Sequence, residues 1–164
     1  EIYRRASQAM QKQLSQAWSQ KEANSHLKTP YDLLKLASIV EKETGRSSER
    51  GLVAAVFTNR LNKGMMLQTD PTVIYGIGPQ FDGNLRKADL RKDNPYNTYM
   101  RKGLPPTPIA MPSKESIQAA IHPVASNVLF FVAKGDGSSY FSKSLGEHER
   151  AVDQYQRKSS RTPH

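Results

Sequence analysis

Two stretches between Leu33 and Leu61 constrain the fold most, because both have the apolar spacing of a helix and only a few residues separate them. On a wheel of about 100° per residue, Leu33, Leu36, Ala37, Ile39 and Val40 cover one broad arc of the first. Leu52, Val53, Val56, Phe57 and Leu61 give the buried face of the second. Pro30 suits the opening turn of a helix over roughly 31 to 44, and Gly45 is a good C-terminal stop. Ser47 or Ser48 can cap the second helix, with Glu49 in its first turn and Asn62-Lys63-Gly64 at its end. So short a link makes the two an antiparallel packed pair.

The first helix carries two carboxylates into its last turn. Glu43 has Ile39 and Val40 one turn behind it and Leu36 two turns behind, whereas Glu41 follows Ala37 and Ser38, a smaller and wetter neighbourhood. A carboxylate held against large aliphatic groups is costly to ionise, so Glu43 is expected to have the raised pKa of a general acid. The competing expectation is that both are helix-end carboxylates reaching into water.

The rest of the chain supplies a helix-rich α+β domain. Residues 2 to 24 read as one helix, with Ile2, Ala6, Met10, Leu14 and Trp18 at four-residue spacing. From Met65 to Pro112 the texture changes to Gly, Pro and polar residues with short regular pieces, among them a helical turn near Arg86–Leu90. Leu67, Val73, Ile74, Tyr75, Tyr96, Tyr99, Leu104 and Ile109 are too many apolar anchors for disorder, so this segment reads as a loop-built substrate groove. Ser113 caps a helix through about Ile121, and Val128–Ala133 and Ser139–Ser142 flank the turn Gly135-Asp136-Gly137 as an antiparallel β-hairpin. Ser144 to about Arg157 closes the fold as a helix. The organisation is residues 1–29 as N-terminal helix and linker, 30–158 as the main domain and 159–164 as a disordered tail.

Function classes fall away in turn. With no cysteine there is no disulfide, thiolate metal site or cysteine nucleophile. His26, His122, His148 and His164 have no metal spacing, and His122 and His148 read as structural; no metal or cofactor is expected. No phosphate loop or serine elbow is present. The net charge of +9 admits anionic partners, but the basic residues are dispersed and lack an interleaved aromatic stripe, so nucleic acid is set aside. Carboxylate chemistry remains, and glycoside cleavage usually employs two. Beside Glu43 stand Glu41, Asp70, Asp82, Asp89 and Asp93; Asp70-Pro71 reads as a turn, and no second acid is compelling.

Several separate motifs occur in one order: Ala37-Ser38-Ile39-Val40-Glu41-Lys42-Glu43-Thr44, Phe57-Thr58-Asn59-Arg60-Leu61, Leu67-Gln68-Thr69-Asp70-Pro71-Thr72-Val73-Ile74-Tyr75-Gly76, Tyr96-Asn97-Thr98-Tyr99 and Gly103-Leu104-Pro105-Pro106. With His122-Pro123 and Phe130-Phe131-Val132-Ala133, they closely resemble the YceG/MltG family of endolytic murein transglycosylases over about residues 33 to 156. The resemblance implies a lysozyme-like active-site helix and non-hydrolytic cleavage of peptidoglycan between N-acetylmuramic acid and N-acetylglucosamine, leaving 1,6-anhydromuramyl ends. It implies Glu43 as acid and then base; Gln68, Thr69, Tyr75, Tyr96, Asn97 and Tyr99 are the candidates for binding substrate, with Glu41, Thr44 and Asp70 as candidate support. It also implies a place at the periplasmic face of the inner membrane, cell-wall synthases as partners, and a membrane anchor and LysM-like subdomain ahead of this region. The rivals are a muramidase using water with Asp70 as helper, and a non-catalytic peptidoglycan-binding scaffold.

Overall fold

The computed structural model describes residues 2–22 and 25–157. The elements are α1 (Ile2–Ser19), α2 (Pro30–Glu43), α3 (Arg50–Asn62), α4 (Asp70–Ile77), α5 (Lys87–Arg91), α6 (Lys114–Ile121), β1 (Phe130–Ala133), β2 (Ser139–Ser142) and α7 (Leu145–Val152). Single 3-10 turns occur at Ser47–Glu49 and Gly78–Gln80, and a wider π-type turn at Asp153–Arg157. The α+β class follows: helices with one small antiparallel hairpin, in which Phe131 faces Phe141 and Val132 faces Tyr140.

Helices α1, α2, α3 and α6 pack on one another, and α7 packs on the hairpin, which meets the helices through β1 and α3. The periodicity dictates the core: Leu33, Leu36, Ile39 and Val40 of α2 meet Val53 and Phe57 of α3 and Ile117, Ala120 and Ile121 of α6. Each of the Leu, Ile, Val and Phe side chains among them contributes about 1.5–3 kcal/mol when fully buried. A smaller cluster of Ala55, Val56 and Val128 sits under the hairpin rings Phe131 and Phe141. Phe131 also meets Phe57 edge to face at 5.9 Å, which joins the two clusters.

Four local expectations change. α1 ends at Ser19, whose hydroxyl bonds the Gln16 carbonyl at 2.6 Å; residues 23 and 24 and the tail 159–164 lie outside the described residues. α2 is terminated by Thr44, which turns to φ −76°, ψ 112° while its hydroxyl donates to the Val40 carbonyl at 2.6 Å. Gly45 serves a different need, since a Cβ there would lie 3.0 Å from the Gly137 carbonyl oxygen. Neither Ser47 nor Ser48 caps α3, which begins at Arg50; the Glu49 carboxylate instead accepts the Ser139 amide at 3.1 Å. Asp70-Pro71 is not an isolated turn but the first residues of α4, where proline's fixed φ and missing N–H cost nothing.

The link between α2 and α3 is thus laced to the hairpin. Arg46 Nη2 donates to the Asp136 carbonyl at 2.7 Å. From α3, Asn59 Nδ2 holds the Ser126 and Val128 carbonyls at 2.7 and 2.8 Å. These long-range bonds bring the hairpin over the C-terminal end of α2.

Candidate active site

The end of α2 sends its two glutamates to different surroundings. Glu41 Oε2 accepts hydrogen bonds from the hydroxyls of Ser113 (3.0 Å) and Ser116 at the start of α6. The Ser116 bond is the main reason its carboxyl lies below the usual carboxylate range. Glu41 is therefore a charged strut between α2 and α6. Glu43 instead lines a cleft of about 910 Å³, bounded by α2, α3, the start of α4, the hairpin and α7. Burial raises its pKa to about 7, the Asp70 charge adds to the rise, and the Thr69 hydroxyl works against it. At neutral pH this side chain is poised between acid and base.

The strip Gln68-Thr69-Asp70 and the strip Asn97-Thr98-Tyr99 are tied together beside it. The Gln68 amide donates to the Thr98 carbonyl at 3.1 Å, and the Thr69 amide to Thr98 Oγ1 at 3.0 Å. Thr72 Oγ1 donates to the Thr69 carbonyl at 2.8 Å and meets Thr98 Oγ1 at 2.8 Å. Thr69 is buried, and its own Oγ1 has no full hydrogen bond; it stands close enough to Glu43 to act on its charge without bonding geometry. Tyr99 donates its hydroxyl to Asp70 Oδ1 at 2.5 Å, which, after burial, keeps the phenol from ionising.

Gln68 is exposed at the cleft and has φ +51°, the one described non-glycine residue in the left-handed region. That conformation costs a side chain about 1 kcal/mol and concentrates at functional sites. A Gln68→Gly substitution is expected to leave stability unchanged or raised by up to about 1 kcal/mol. Urea denaturation of the variant beside the parent checks this.

Of the residues singled out above, Glu43, Gln68, Asp70 and Tyr99 line the cleft and Thr69 lies beneath it. The others lie elsewhere. Tyr75 and Tyr96 pair at 5.0 Å outside the cleft lining, with Tyr96 OH 2.9 Å from Thr107 Oγ1. Asn97 is 1% exposed and spends its carboxamide on backbone. Thr44 serves as the helix stop.

Arg60, Phe130 and His148 also line the cleft; the first two stand in the quoted motifs and His148 reads as structural, but none was named as a site residue. Arg60 is 6% exposed; its Nε donates to the Leu129 carbonyl at 2.7 Å and its Nη1 to the Met66 carbonyl at 2.8 Å. Its signal was legible, since it follows Val56 and Phe57 by four and three residues on the apolar face of α3. His148 stacks on Phe130 at 5.0 Å, and no spacing in α7 announced it. Among the described residues no group of three His, Asp or Glu side chains could hold a metal ion.

Comparison with known proteins adds what geometry does not supply. The YceG-like family matches residues 1–154. An endolytic murein transglycosylase of Bacillus subtilis (strain 168) is 46% identical over 125 residues, covering 76% of this chain and 34% of that protein. One from Streptococcus pneumoniae serotype 2 (strain D39) is 37% identical over 153 residues, covering 90% of this chain and 27% of that protein. A crystal structure of a yceG-like protein from Listeria monocytogenes superposes with a TM-score of 0.68 at 44% identity, over 74% of this chain and 38% of that one. The chain thus spans 27% to 34% of the length of these curated relatives.

Proposed function

The chain belongs to the YceG-like family, and on that premise we propose that it is the glycan-cleaving domain of an endolytic murein transglycosylase. The observation that carries this reading is Glu43, a carboxyl group with a pKa near 7 on the wall of a cleft large enough for a polymer. A general acid works best with a pKa near the working pH. Protonated Glu43 gives its proton to the glycosidic oxygen between N-acetylmuramic acid and N-acetylglucosamine as that bond breaks. Positive charge then develops at the muramyl anomeric carbon, where the Asp70 carboxylate beside Glu43 stabilises it. Glu43, now ionised, takes the proton from the C6 hydroxyl of the same sugar, whose oxygen closes on the anomeric carbon to give a 1,6-anhydromuramyl end. The attack is intramolecular, so proximity replaces water.

One observation favours a second reading. Asp70 acts electrostatically on Glu43 within a shared cleft, and two facing carboxylates are the usual equipment for hydrolysis. Against it, Tyr99 already occupies one Asp70 oxygen at 2.5 Å. Mass spectrometry of digested glycan decides: anhydro ends support transglycosylation, and reducing ends overturn it in favour of a muramidase. A domain that binds strands without shortening them would be the scaffold.

The Asp70 charge also makes a pH prediction. Because it raises the Glu43 pKa, Asp70→Asn removes that push, and the Glu43 pKa falls. The alkaline limb of kcat/KM, expected near pH 7 in the parent, should move to lower pH in the variant. A limb that stays in place would separate Asp70 from the titration of the acid.

The polymer lies outside the cytoplasmic membrane, so the proposed domain works at the outer face of that membrane beside the synthases that make the strands. No helix among the described residues is long and apolar enough to cross a membrane. The net charge of +9 suits a polymer whose stem peptides carry carboxylates.

A further inference from the structure

Arg60 is a buried cation in the cleft wall, and among the described residues no carboxylate balances it. No ion pair is formed by it among the described residues; Tyr99 favours its charged form, and its charge in turn acts on His148. Removing a cation from water without a counter-ion is costly, and two backbone carbonyls only partly compensate. Among the described residues its Nη2 makes no hydrogen bond, and Arg60 lines the cleft. The guanidinium lies 4.8 Å from the centroid of Phe130, the ring on which His148 stacks. His148 Nδ1 is buried without a hydrogen-bond partner, and among the described residues Nε2 makes no hydrogen bond. Burial and the Arg60 charge, opposed by Glu149, hold the imidazole below its ordinary pKa, so it is neutral at pH 7. With its proton on Nε2, it offers one N–H to the cleft.

We infer that Arg60 and His148, gathered on the Phe130 ring, form a carboxylate-binding subsite of this cleft, which takes an acidic arm of the substrate. The inference rests on the peptidoglycan reading for its ligand: the lactyl group of N-acetylmuramic acid, or the stem peptide attached to it, supplies the carboxylate. Glu43 and Asp70 line the same cleft, and Glu149 is exposed beside His148. An anion is therefore drawn to Arg60 and away from these acids. Such a subsite would set which sugar of the alternating polymer stands at Glu43, because only every second sugar bears the arm.

The test is an NMR titration of the chain with N-acetylmuramic acid and with its methyl ester at low salt. The acid should bind about tenfold more tightly than the ester, as one charge-assisted contact implies, with shifts at His148 and Arg60. His148→Phe, which keeps a flat ring against Phe130, should shrink that ratio severalfold, and His148→Gln, which keeps a donor, should restore part of it. A muramyl dipeptide moves the carboxylate onto the peptide: retained preference assigns the arm to the stem, and lost preference assigns it to the lactyl group. Equal binding of acid and ester, or a ratio untouched by His148→Phe, overturns the subsite. The outcomes separate from those of the cleavage reading. Acid-selective binding without glycan cleavage keeps the subsite and sinks the activity; cleavage without acid selectivity does the reverse.

Discussion

Glu43→Gln is expected to leave a folded protein that no longer shortens glycan strands and is more stable than the parent above pH 7. The two effects share one cause. In the fold the Glu43 pKa is raised from 4.5 to about 7, mainly by burial. A raised carboxyl favours the native state while protonated, so its contribution is fully present below pH 4.5 and is lost as pH rises through 7. The shift corresponds to about 3 kcal/mol at most, and the half-buried position lowers this to about 2 kcal/mol in practice. Gln cannot ionise, so at pH 8 the variant should exceed the parent by about 2 kcal/mol in urea denaturation, while at pH 4 the two should agree. Parental digestion rates would remove Glu43 from the chemistry, and Glu41→Gln would be the next test. Matching stability at pH 8 would instead show that Glu43 ionises as freely as an exposed carboxylate.

Asn97→Ala should destabilise the fold by about 3 kcal/mol. Asn97 Nδ2 donates to the Leu90 and Lys92 carbonyls at 3.0 and 2.8 Å, and its Oδ1 accepts the Tyr99 amide at 2.9 Å. Alanine leaves all three backbone groups without that partner in a site 1% exposed. Buried groups so orphaned cost about 1 kcal/mol or more each. The strip that aims Tyr99 at Asp70 should loosen with them. Chemical denaturation measures the loss, and kinetics at a temperature where the variant stays folded should show a KM close to the parent's. A raised KM with unchanged stability would mean that Asn97 meets sugar after all.

These two residues mark what a sequence can disclose. Glu43 was separable from Glu41 because the difference lies within one helix, where three- and four-residue spacing fixes the neighbours. Asn97 stood in a motif with Tyr96 and Tyr99, and nothing local distinguishes an amide that binds backbone from one that binds a ligand. Asp70-Pro71 misled for a related reason: the pair suits both a turn and a helix start, and only the burial of the following Thr72 and Val73 chooses the helix.

The sequence by itself determined the helical pair, the hairpin, most of the core and the apolar flank behind Glu43, since each depends on short-range periodicity and capping. The tertiary structure decided the site. Thr98 supports Gln68 and Thr69 from 29 and more residues away, Asp70 stands by Glu43, and Arg60 meets Phe130 and His148 across three elements. Those meetings depend on where hydrogen-bonded loops bring distant side chains. The left-handed turn at Gln68 is held by the same long-range ties, against its local preference.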